Sequence, residues 1–121
     1  MSYDLNIIPS TARWTPEMIY ANIEAAEEDE QSRFGGDKDV LDRCAEDIAR
    51  QLGEDSVTPF LACDPPDIEF GLISVHLQHG TEQLGASIVV GIAKYHGLCC
   101  FDCQTAEIFF PDGTGFAPLI D

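Results

Sequence analysis

The stretch over residues 81–111, TEQLGASIVVGIAKYHGLCCFDCQTAEIFFP, constrains the fold more than any other, because it spells a helix, a turn, a strand, a second turn and a second strand in succession. Thr81 offers a capping hydroxyl, Glu82 sits where the helix dipole favours an acid, and Leu84, Ile88, Ile92 and Tyr95 recur at helical spacing, with Val89 and Ala93 widening the stripe. Lys94 and His96 fall in the last turn, and Gly97 supplies the left-handed residue that ends it. Residues 87–92, SIVVGI, are β-branched enough to form a buried strand. Because 82–96 contains no turn signal, the spacing predicts a helix instead, with Gly85 and Gly91 allowing close approach to a sheet. After Gly97, residues 98–101 read as a short apolar strand, 102–105 as turn chemistry, and 108–110 as a second strand stopped by Pro111. Asp102 and Gln104 at that bend are expected to bond free backbone groups of the hairpin, with contact to a partner as the alternative.

The rest of the chain supplies partners for this unit. Tyr3, Leu5 and Ile7 alternate on one face of an N-terminal strand that Pro9 stops. Thr15, Pro16 and Glu17 start a helix whose buried side is marked by Ile19, Ile23 and Ala26, flanked by Met18. Its end, Glu27-Glu28-Asp29-Glu30, is unfavourably acidic, which predicts fraying or a break before Gly35 and Gly36. A second helix begins near Asp37 or Asp39 and runs to Leu52, with Leu41, Cys44, Ala45, Ile48 and Leu52 inward and Asp39–Arg43 and Glu46–Arg50 as outer pairs. Prolines make 54–67 a loop, and 68–77 reads as one long strand covered on both sides. The expectation is a single α+β domain over residues 1–121. Its order is β-α-α-β-α-β-β, with one mixed or mostly antiparallel sheet of about four strands and helices mainly on one face.

At 121 residues the chain is long enough to bury a core without disulfides or a structural metal. It holds no apolar run of membrane-spanning length, and its start, MSYDLNIIPS, lacks the basic, then apolar, pattern of a secretory signal, so a cytoplasmic location is expected. Five cysteines, an odd number with three crowded into one hairpin, fit reduced thiols. The 22 acids against six Lys and Arg give a formal net charge of −16, which excludes general nucleic-acid binding and favours fast association with a basic partner.

Chemistry has little support in the sequence. Cys99, Cys100 and Cys103 lack the second paired element of a zinc site, and alternation along a strand sends Cys99 and Cys100 to opposite faces. His76 and His79, three apart at a strand end, also diverge. No phosphate-binding glycine loop, nucleophile elbow or paired-carboxylate pattern is present, so neither cofactor nor metal nor catalytic residue is assigned.

The segments Tyr3-Asp4-Leu5, Ile92-Ala93-Lys94-Tyr95-His96-Gly97-Leu98 and Phe101-Asp102-Cys103-Gln104 resemble small immunity proteins of bacterial polymorphic-toxin and secretion-system loci. In those, a helix ends in Gly-Leu and the next strand ends in an Asp-Pro-Gln-like turn; Cys103 stands here where that proline would be. The resemblance covers roughly the last third of the chain plus a few N-terminal residues. It implies a cytosolic protein that binds and neutralises one cognate toxin, and it carries no catalytic residue across. The expected contact is an acidic surface of Glu27, Glu28, Asp29, Glu30, Asp37 and Asp39, with Phe34 as an apolar anchor, placed over a basic active site or substrate groove, a nuclease being one candidate toxin. Two other classes stay open: an acidic nucleic-acid mimic that blocks a DNA- or RNA-binding protein, and a small enzyme using a cysteine or Asp102.

Overall fold

A computed structural model of the chain describes residues 2–10, 13–29, 34, 37–54, 66–69, 71–78, 82–113 and 115–116. In chain order these form β1 (Ser2–Pro9), α1 (Pro16–Asp29), α2 (Lys38–Ala49) continuing into a π-helical turn (Arg50–Glu54), β2 (Asp67–Glu69), β3 (Leu72–Gln78), α3 (Glu82–Tyr95), β4 (Leu98–Asp102), β5 (Ile108–Phe109) and β6 (Gly115–Phe116). The fold is α+β and follows the expected order β-α-α-β-α-β-β, with one strand divided and a short one added at the end. Among the described residues every strand pair is antiparallel, in the order β2-β3-β1-β4-β5-β6.

The N-terminal strand lies in the middle of the sheet. Leu5 pairs with Val75 on one side and Asp102 on the other, and Ile7 pairs with Ile73 and Cys100. Alternation then builds two cores. On one face Leu5, Ile7, Ile73, Val75, Leu77 and Cys100 meet Leu41, Cys44, Ile48 and Leu52 of α2 and its π turn, and Val89, Ile92 and Ala93 of α3. On the other, Ile8, Leu72, Cys99, Phe101 and Ile108 meet Ile19 of α1, Trp14 and Phe34. Two of the three helices therefore share one face. Each fully buried Leu, Ile or Phe contributes about 1.5–3 kcal/mol relative to exposure.

Residues 68–77 are not one strand. The chain folds back at Gly71, whose φ of 81° suits a residue without a Cβ, and Ile68 pairs with Ile73. The two therefore share a face, whereas an odd offset along an uninterrupted strand would have set them on opposite ones. The first helix begins as expected, with Thr15 Oγ1 accepting from Met18 N at 3.3 Å, and it runs to Asp29 with no base in its last turn, so that Phe34 already lies outside a helix, in keeping with the expected break before Gly35. Asp37 caps α2 by accepting from Asp39 N at 2.9 Å. Among the described residues, the pairs within α2 and its π turn are Lys38–Asp42 at 3.4 Å and Arg50–Asp47 at 2.6 Å, in place of the expected Asp39–Arg43 and Glu46–Arg50.

The third helix forms where its β-branched residues competed with a strand, and Gly97, at φ 73°, ends it with its N–H on Lys94 O at 3.0 Å. Its rotation differs from the expected one. Gly85, Val89, Ile92 and Ala93 face inward, whereas Leu84 and Tyr95 are exposed. Gly91 is also exposed, and a Cβ there would meet nothing within 4 Å, so it does not serve close packing. Among the described residues, no helix is long and apolar enough to cross a membrane. Glu30, Gly35, Gly36, Cys63, His79, Thr81 and most of the expected loop over 54–67 lie outside the described residues.

Candidate functional site

The turn between β4 and β5 is held by a polar network at one end of the central strands. Asp102, only 5% exposed, accepts at Oδ1 from Gln104 N and Gln104 Nε2, both at 2.9 Å, and from Thr105 N at 3.1 Å. The Tyr3 hydroxyl donates to Oδ2. Gln104 in turn docks on the backbone of Asp4, its Oε1 accepting from Asp4 N at 2.7 Å and its Nε2 donating to Asp4 O at 2.8 Å. Gln104 thus extends the hydrogen-bonding of β1 with a side-chain amide. The Asp4 carboxylate lies 2.7 Å from His76 Nδ1, which links the network to β3. Asp102 accordingly bonds free backbone groups of the hairpin, as expected of a turn residue, whereas the Gln104 side chain bonds the backbone of β1 in place of the hairpin's own.

A different feature opens between α2 and α3. A groove of about 600 Å³ is lined by Asp47, Arg50 and Gln51 on one side and Ile88, Gly91, Ile92 and Tyr95 on the other. Asp47 braces it. Its Oδ1 accepts from Arg50 Nη2 at 2.6 Å, and its Oδ2 lies 2.6 Å from His96 Nε2 at the end of α3, so one carboxylate ties the two helices together. Tyr95 and His96 stack edge to face with ring centroids 5.3 Å apart. The π-helical turn sets Arg50 and Gln51 on the groove side while keeping Leu52 in the core, and such turns recur at functional positions.

Among the described residues, the four cysteines Cys44, Cys99, Cys100 and Cys103 show no sign of activation. Burial, with a smaller contribution from Asp47, pushes the Cys44 thiol up to about 12, and burial dominates again at Cys99, raised to about 11. Cys103 is raised to about 12 by burial and then by Asp4 and Asp102, and Cys100 is also pushed up by burial first. These four thiols stay protonated at neutral pH, which makes them poor nucleophiles. Cys99 and Cys100 belong to opposite cores, as strand alternation requires.

The residues expected to form an acidic contact are distributed over two elements. Glu27 and Glu28 are exposed in the last turns of α1, Asp29 closes that helix, and Glu30 lies outside the described residues. Asp37 and Asp39 are exposed at the start of α2, where Asp37 already serves as the cap. The helices that carry them pack on opposite faces of the sheet, so the acids do not belong to one helix face. Phe34 needs the clearest correction. It is 1% exposed and packs edge to face on Trp14 at 5.3 Å, so it is part of the core and not an anchor held out to a partner. Trp14, whose Nε1 donates to Pro9 O at 2.8 Å, is a core residue that sequence reading passed over. The groove is not legible in the sequence either, because Tyr95 falls on the helical stripe expected to face the core. Comparison of the chain with protein-family models, with curated proteins and with solved structures finds no match.

Proposed function

We propose that this protein binds and neutralises a basic bacterial protein toxin, in the manner of the small immunity proteins that its helix-end and hairpin segments resemble. Charge carries this reading. The formal net charge is −16, and Arg13, Lys38 and Arg50 are each paired with an acid of the chain itself. Among the described residues, Glu17, Glu24, Glu27, Glu28, Asp39 and Glu46 are exposed and have no basic partner, so the field they set up is directed outward. Such a field steers a positively charged protein into encounter and repels competitors of like sign. The protonated thiols and the turn role of Asp102 give no reason to prefer the small-enzyme alternative. Producing the protein in cells together with the product of each gene adjacent to its own, to find a toxin among them, tests the reading. Growth should stop with the toxin alone and resume when both are made, with the two proteins eluting as one complex. Arrest under both conditions, without a complex, contradicts it.

A further inference from the structure

Helix α3 carries two apolar stripes, and the sheet uses one of them. Gly85, Val89, Ile92 and Ala93 face the core, while Leu84, Ile88, Gly91 and Tyr95, at spacings of four, three and four, follow a second line along the helix. That second line is open. Leu84 is 60% and Tyr95 84% exposed, Ile88 is half-buried, and the position of a Cβ on Gly91 is empty space. Its lower part forms one wall of the groove closed on the other side by Asp47, Arg50 and Gln51. The charge there is largely cancelled, because Asp47 is shared between Arg50 and His96. An apolar centre of low local charge inside a strongly charged surface is the anatomy of a protein contact.

We propose that this stripe and groove seat an amphipathic helix of the basic toxin, with Tyr95 and Leu84 as anchors and Gly91 as the dip that admits the incoming ridge. The inference rests on the function proposed above and names the surface that performs it. Charge selects the occupant. A second copy would bring another −16 against this one, and phosphate backbones or anionic lipid would be repelled in the same way, whereas a basic helix gains from the surrounding field. The four-three-four spacing matches the way one helix presents anchors to another, and exposed Tyr is a residue type that commonly dominates such contacts.

The test uses the full chain with Tyr95→Ala, Leu84→Ser or Gly91→Leu, each at an exposed position, and the toxin identified by the growth-rescue experiment as the probe. Circular dichroism melting shows that each variant is folded. The expected result is a Kd raised about tenfold or more by Tyr95→Ala, chiefly through faster dissociation, with Leu84→Ser and Gly91→Leu acting in the same direction. If the wild type binds and all three folded variants bind within about twofold of it, the stripe is not the contact, and the proposed function survives without it. A wild-type dimer that Tyr95→Ala dissolves in sedimentation would assign the stripe to self-association and overturn the inference. Absence of any wild-type binding removes both.

Discussion

At the scale of single residues, the best-defined interaction is the one that organises the β4–β5 turn. Asp102 satisfies two backbone N–H groups, one side-chain amide and the Tyr3 hydroxyl, so removing its carboxylate leaves several donors without an acceptor in a buried place. Asp102→Ala should destabilise the fold by about 1–3 kcal/mol in urea unfolding, with Asp102→Asn costing less because one acceptor oxygen remains. An unchanged midpoint for Asp102→Ala would contradict the network. The thiols give a second residue-scale prediction. Cys44 and Cys103 are raised from an ordinary value of 9.0 to about 12 and Cys99 to about 11, so the folded chain binds more protons than the unfolded one above pH 9. Their contribution is fully present below that pH and falls as pH rises toward 11–12. Unfolding midpoints should decline from pH 9 upward, and at pH 8 these thiols should react with a disulfide reagent far more slowly in the native protein than in the unfolded one. Equal rates in both states would show that the thiols are open. The turn role of Asp102 was legible because Asp-x-Gln-Thr between two apolar strands is local chemistry. The core roles of Trp14 and Phe34 were not, because each stands alone in an irregular segment and meets its partner 20 residues away.

At the scale of elements, α3 separates what a pattern can reveal from what it cannot. Its existence was readable from the absence of turn residues and the well-marked stop at Gly97. Its rotation was not, because the helix is apolar on two adjoining lines and periodicity alone does not choose between them. The sheet selected the line with the small residues Gly85 and Ala93, which leaves Leu84 and Tyr95 outside. The two glycines of this region should consequently respond in opposite directions. Gly91→Ala should stabilise the protein by about 1 kcal/mol, since Ala is the better helix former and its methyl meets no atom. Gly97→Ala should destabilise it by about 1–2 kcal/mol, since φ is 73° there. Thermal melting of the pair reads both signs, and a loss at Gly91 would mean that the helix surface is more crowded than described. The β2–β3 hairpin follows the same logic, since Gly71 looked like an interior strand residue until the register of Ile68 with Ile73 was fixed by tertiary pairing.

At the scale of the whole molecule, the α+β class and the order of the main elements followed from sequence because those helices and strands carry their own start or stop signals, whereas the division of β2 from β3 and the short β6 carried none that was read. The central place of β1, and the separation of α1 from α2 and α3 by the sheet, depend on long-range pairing that no local signal encodes. The net charge of −16 is a property at this scale too, and it motivates the function proposed for the protein. Under that proposal the acids at the end of α1 and the start of α2 should act mainly on encounter, and the open stripe of α3 should set how long the complex lasts. The most direct test is the association rate constant with the toxin that the growth-rescue experiment identifies, measured by stopped flow across a salt series for the wild type and for a Glu27→Gln, Glu28→Gln, Asp39→Asn variant. Between about 50 and 500 mM salt the wild-type rate should fall by about tenfold or more, and the variant should start slower and fall less steeply. A wild-type rate that is independent of salt, and unchanged by the three substitutions, would contradict the account.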